Sequence, residues 1–145
     1  MGQRRQSREL TLQYLYACDI QKHFTAKTNA FFDWITSLRN SDSSHKHISE
    51  EALRFSDSLI NGIISHLEDI DKTIKKYADN WALFRIAYTD RNILRVAIYE
   101  IIYLTDIPSV VSIDEAVDIA KKFSTPDSGK FVNGILDRIK KDIVT

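Results

Sequence analysis

From Asp90 to about Leu104 the chain carries apolar or aromatic side chains on every side of a helix, interrupted only by Arg91, Asn92, Arg95 and Glu100. A helix with no polar face cannot lie on a surface, so this one belongs at the centre of a bundle. Its apolar run, Ile93 to Leu104 broken by Arg95 and Glu100, is well short of the roughly 18 residues that a membrane span needs. The other segments must therefore supply its cover. Four glycines and two prolines in 145 residues leave few breakers, and no β-rich alternation bounded by turns is present, so the expected fold class is all-α. A chain of this length defaults to one domain and buries roughly 68 to 70% of its unfolded surface, enough for a core without a metal or disulfide staple.

The expected elements follow from periodicity. A first helix from about Ser7 to Lys22 has Leu10, Leu12, Tyr14, Leu15, Tyr16, Cys18 and Ile20 nearly all round it, which places it centrally. Phe31, Trp34, Ile35 and Leu38 mark a second, followed by a polar loop from Asn40 to His47. Ser49 caps a third, with Leu53, Leu59, Ile60, Ile63 and Ile64 on its apolar face, and Leu67, Ile70, Ile74 and Tyr77 continue the period. A weak internal boundary falls near Asp79-Asn80, dividing one domain into subdomains of about 1–79 and 80–145. The second half opens with a short helix around Trp81 to Tyr88. Thr89 then caps the central helix, which ends at Asp106-Ile107-Pro108 because the residue before proline avoids the α region. Ser112-Ile113-Asp114-Glu115 reads as a capping box for the next helix, with Lys121 and Lys122 near its C-terminus, where the dipole favours cations.

The last helix starts after Thr125, with Pro126 preset for the first helical position. Phe131, Val132, Ile135, Leu136 and Ile139 share one face, and Asp127, Lys130, Gly134 and Asp137 form a polar row on another. Mid-helix glycine costs about 1 kcal/mol relative to alanine, so Gly129 and Gly134 suit a close approach by another backbone or a ligand.

Enzymatic motifs are missing: there is no GxxxxGKS loop, no GxGxxG, no HExxH and no GxSxG. His45-Lys46-His47 lies in a polar stretch without nearby cysteines and reads as solvated histidines, so no metal is expected. Pairs such as Glu68 and Asp71 read as surface charge. Cys18, the single cysteine, reads as a small buried hydrophobe. No cofactor is implied. The N-terminus is basic but has no apolar signal region, which points to the cytoplasm and to no membrane partner.

Twenty basic and twenty acidic residues balance, so any polyanion site must be a local patch. Arg4, Arg5 and Arg8 precede the first acid at Glu9, and Arg138, Lys140 and Lys141 sit near the end. Single-stranded nucleic acid is held by cations along its phosphates and by planar side chains against its bases. Tyr16, Phe123 and Phe131 qualify as such platforms, although for each ring taken alone core is the more usual reading. Arg91 and Arg95, one turn apart in the apolar helix, need acceptors; Glu100 and Asp106 are candidates, and exposure at a subunit surface is the alternative.

Four blocks carry a family resemblance. They are Arg4-Arg5-Gln6-Ser7-Arg8-Glu9 with Gln13-Tyr14-Leu15-Tyr16, Arg91 to Glu100, Asp106-Ile107-Pro108 with Ile113 to Val117 and Ala120-Lys121, and Asp127-Ser128-Gly129-Lys130-Phe131-Val132-Asn133-Gly134-Ile135-Leu136. In order and spacing they resemble the NusB family of bacterial transcription antitermination factors. They cover both ends and most of the second half; residues from about Ile20 to Asn80 match only as generic helix. The chain departs from the family pattern at Ser7 and Tyr14, where alanine is usual, and at Gly129. The resemblance implies two small helical bundles packed into one unit and a non-enzymatic RNA-binding factor. It implies binding to boxA of nascent ribosomal RNA together with the ribosomal small-subunit protein NusE, in support of an elongating polymerase. By matching motif positions, the RNA surface would comprise Arg4, Arg5, Arg8, Gln13, Tyr16, Lys121, Phe123, Asp127, Lys130 and Phe131. Asp90 and Arg91, at an exposed helix start, would meet the protein partner. Monomer and homodimer both occur in the family. Two alternatives are the RNA-binding module of a ribosomal-RNA cytosine methyltransferase, against which the chain length speaks, and a protein-binding helical adaptor without RNA.

Overall fold

The computed structural model describes residues 2–25, 30–41, 48–79 and 83–144. Among these it shows seven α-helices: α1 (Gly2–Gln21), α2 (Ala30–Ser41), α3 (Glu50–Ser65), α4 (Leu67–Tyr77), α5 (Tyr88–Tyr103), α6 (Ser109–Phe123) and α7 (Pro126–Val144), with a 3-10 turn at Leu83–Arg85. No strand occurs among the described residues, so the all-α expectation holds. The chain divides into two compact units, Met1–Ile64 and Ser65–Thr145. The boundary read near Asp79-Asn80 reaches residue 80, which lies outside the described residues, as do Trp81, Ala82 and His45-Lys46-His47.

In the first unit, α1 begins at Gly2, five residues earlier than the sequence reading. The Ser7 hydroxyl is buried and lies 2.9 Å from the Gln3 carbonyl and 2.7 Å from that of Ala52 in α3, so its one proton serves acceptors on two helices. Ser56 returns the favour by donating to the Ser7 carbonyl at 2.9 Å. A serine where the family has alanine thus adds a buried polar tie between α1 and α3. Tyr14, the second departure, is core. Its ring meets Phe31 and Trp34 edge-on at 5.7 and 5.5 Å, its hydroxyl donates to the Thr25 carbonyl at 2.7 Å, and burial pushes its pKa up to about 12. Cys18 packs in the same cluster. Ser49 caps α3 as expected, accepting from the Ala52 amide at 3.1 Å.

In the second unit α5 touches α4, α6 and α7, and every residue from Asp90 to Ile101 is buried, as its all-round apolar pattern requires. Thr89 does not cap it, because α5 already starts at Tyr88. Burial inside an apolar layer forces each charge to find a partner. Arg95 donates to Asp71 of α4 through Nε at 2.8 Å and Nη2 at 3.0 Å, and through Nη1 to Asn92 Oδ1 at 2.8 Å. Asp71, which read as surface charge, is thus an acceptor for Arg95 that the sequence reading did not name. Glu100, 1% exposed, instead accepts the Ser112 hydroxyl at 2.8 Å. Ser112 is for that reason no cap: α6 starts three residues earlier, after Pro108. Tyr77 donates its hydroxyl to Asp142 of α7, which raises the Tyr77 pKa.

One glycine in this unit stands at a close approach between helices. A Cβ at Gly129 would stand 3.2 Å from Cγ of Lys121 and 3.7 Å from Val117, so α7 meets α6 at a separation that leaves the lysine stem its room. Gly134 has no such neighbour within 4 Å.

Candidate nucleic-acid interface

The two units each present cations beside aromatic rings. On the first, Arg5, Glu9, Gln13 and Tyr16 recur every three or four residues and so share one face of α1. Arg5 and Gln13 are half-buried, and Tyr16 is 39% exposed, which decides against the core reading of that ring. Arg4 and Arg5 lie on the helix and not on a tail ahead of it. The Arg4 guanidinium sits over the Phe55 ring of α3, 4.0 Å from its centroid. Arg8 departs from the expectation of a loose basic residue: it is 5% exposed, with its guanidinium 5.8 Å from the same ring. Its place on the buried face of α1 follows from helical spacing, which sets Arg8 one turn before the buried Leu12.

On the second unit α6 ends in Lys121, Lys122 and Phe123, all exposed. The Lys122 ammonium lies 5.1 Å from the Phe123 centroid, and that ring is 38% exposed, again a surface platform and not core. Thr125 caps α7 through its hydroxyl oxygen, which accepts from the Ser128 amide at 3.2 Å, and Pro126 takes the first helical position as anticipated. Asp127 and Lys130 are exposed. Phe131 is half-buried and borders a cleft of about 130 Å³ with Arg85, Ile86, Ala87 and Asp90. Stacking and packing therefore share this ring.

Asp90 and Arg91 require a correction. They are 9% and 8% exposed, not open at the helix start. The Asp90 carboxylate accepts the Ser128 hydroxyl at 3.0 Å through Oδ2, which joins the first turn of α5 to the first turn of α7; Oδ1 is buried without a hydrogen-bond partner. Arg91 lies over the Tyr88 ring at 4.2 Å and reaches the Leu83 carbonyl at 3.5 Å. The sequence reading missed the Asp90 tie because its donor, Ser128, lies 38 residues further along the chain. It also missed Phe55, whose value depends on Arg4 and Arg8 arriving from another helix. Among the described residues no cluster of His, Cys, Asp or Glu is arranged to hold a metal. No helix is long and apolar enough to cross a membrane.

Fold and surface together define an all-helical, two-unit protein with cation-and-aromatic faces of the kind that bind single-stranded nucleic acid. Residues 5–141 match the NusB family, and the chain belongs to that family of transcription antitermination proteins. It is 45% identical over 139 residues to the transcription antitermination protein NusB of Thermodesulfovibrio yellowstonii, covering 96% of this chain and 92% of that one. Among solved structures it resembles T. maritima NusB, at 36% identity and a TM-score of 0.77 over 96% of this chain and 91% of that one. A second likeness, at 27% identity and a TM-score of 0.80 over 98% of each chain, is to a structure of the antitermination factors NusB and NusE in complex with dsRNA.

Proposed function

We propose that the protein is a non-enzymatic, cytoplasmic RNA-binding antitermination factor. It binds boxA of nascent ribosomal RNA as a single strand, together with NusE, and the assembly supports the elongating RNA polymerase. The observation that carries this reading is the exposure of Tyr16 and Phe123, rings that a core would have buried, each on a surface that also carries cations. The complex of a related NusB with NusE and dsRNA supports NusE and RNA as the partners. The family match over most of the chain supports one domain; its two compact units divide after Ile64, ahead of the boundary near Asp79-Asn80 that the sequence suggests.

Arg4, Arg5, Lys121 and Lys130 neutralise phosphates, while Tyr16, Phe123 and the open side of Phe131 stack on bases. Gln13 and Asp127 hydrogen-bond to the strand, and Arg8 holds the Arg4 and Phe55 surface in place. Asp90 and Arg91 serve NusE docking by fixing Tyr88, 37% exposed, and the start of α5. RNA and NusE then raise each other's affinity through shared contacts and ordering. Titration of a fluorescent boxA-like single strand, alone and with NusE, and against its duplex, tests this. Tighter binding of the single strand in the presence of NusE is expected. No enhancement by NusE, or equal affinity for the duplex, would remove the mechanism.

A further inference from the structure

A cleft of about 260 Å³ opens on the first unit between the start of α1 and the first turns of α3, lined by Gln3, Arg4, Ser7, Glu51, Ala52, Arg54 and Phe55. Its parts are prepared for a planar guest. Phe55 backs the Arg4 guanidinium at 4.0 Å, and Arg4 is nonetheless exposed, so the cation is held in place with surface still open to solvent. Guanidinium planes are stacking partners for unpaired bases. Arg54 and Glu51 are exposed at the same cleft, and neither has an ion-pair partner among the described residues.

The carboxylate is the informative group. A cleft made only for phosphate would exclude an acid, whereas Glu51 is acceptor-only with two oxygens. Two adjacent acceptors match a base edge that carries two adjacent donors. Guanine has them in its ring N1–H and its 2-amino group. Adenine and cytosine set an acceptor nitrogen beside their amino group, and uracil flanks its N–H with two carbonyls, so each would turn an oxygen or a lone pair toward the acid.

We propose that this cleft is a guanine-selective nucleotide subsite of the RNA-binding surface. The base lies on the open face of the Arg4 guanidinium, whose edge N–H groups still meet one phosphate, Glu51 receives the base's Watson–Crick donors, and Arg54 meets the adjoining phosphate. The subsite rests on the RNA-binding reading above and adds to it a base preference and three residues, Glu51, Arg54 and Phe55.

The test uses the full chain and two fluorescent single-stranded RNAs that differ at one position, guanosine or adenosine. Glu51→Ala should weaken the guanosine RNA by about tenfold, the loss of one bidentate pair, and leave the adenosine RNA unchanged. Arg54→Ala should weaken both alike and flatten log K against log salt by about 0.7 units. Both side chains are exposed, and thermal unfolding by circular dichroism checks that the variants fold. Tighter binding of both RNAs by Glu51→Ala would show that the acid merely repels phosphate, and equal losses or no change would likewise overturn the subsite. If the unaltered protein binds neither RNA, the functional reading falls and the subsite with it.

Discussion

Replacing Arg4 and Arg5 with alanine separates a phosphate-binding face from a structural one when set beside Arg8→Ala. Arg4 is exposed and Arg5 half-buried, and both extend from the first turns of α1, so their loss removes two cations and little core. Each cation that neutralises a phosphate of a single strand contributes about 0.7 units to the slope of log K against log salt. The double variant should therefore flatten that slope by about 1.4 units, with the unfolding midpoint in urea nearly unchanged. Counting all three arginines by sequence would give about two units; the burial of Arg8 lowers the figure. Arg8→Ala should instead act on stability. It deletes a side chain that is 5% exposed and packed toward Phe55, which places the cost at about 1 to 3 kcal/mol. Fluorescence anisotropy from low to moderate salt, with urea unfolding of each variant, measures both quantities. A double variant with the slope of the unaltered protein would show that α1 does not carry phosphate contacts. An Arg8→Ala protein of full stability and flattened slope would reverse the assignment of these residues.

Four further outcomes follow from the same structure. Phe131→Ala should cost RNA binding about 1 to 3 kcal/mol and stability roughly half of the 3 to 5 kcal/mol that a fully buried ring would; loss of stability alone, in urea unfolding, would make the ring pure core. Asp90→Lys should weaken NusE more than free RNA, because it breaks the Ser128 tie at the start of α5, and equal losses in paired titrations would contradict the assigned role. Arg95→Ala should destabilise by about 3 to 5 kcal/mol, since it leaves Asp71 and Asn92 facing an empty site, whereas a loss below 1 kcal/mol in urea unfolding would show that the pair is solvated. Tyr14, neutral in the fold up to about pH 12 against 10 for the ordinary phenol, contributes stability that is complete below pH 10 and disappears as pH rises toward 12. Absorbance at alkaline pH should show late-titrating tyrosines, one of which Tyr14→Phe removes, and an unaltered titration curve in that variant would refute its burial.

Local chemistry was enough for most of the helices. The all-round apolar pattern of residues 93–104 put α5 at the centre of its unit, Thr125-Pro126 fixed the start of α7, and Ser49 fixed that of α3, because each depends on neighbours within a turn or two of chain. The same locality explains the misplaced helix starts. Ser7, Thr89 and Ser112 have the chemistry of helix starts, but Ser7 and Ser112 hydrogen-bond to Ala52 and Glu100, 45 and 12 residues away, and α5 begins one residue before Thr89. Sequence named Tyr16, Phe123 and Phe131 as rings of interest without telling platform from core, since an aromatic at helical spacing looks alike in both. Only the packing of helix on helix decided that Tyr16 and Phe123 are surface rings and Phe131 is shared. It also buried Arg8, Asp90 and Arg91, gave Arg95 its acceptor in Asp71, and set Phe55 beneath Arg4. Burial and charge pairing are properties of segments that meet in space, and a one-dimensional pattern records the need for a partner while leaving its identity to the fold.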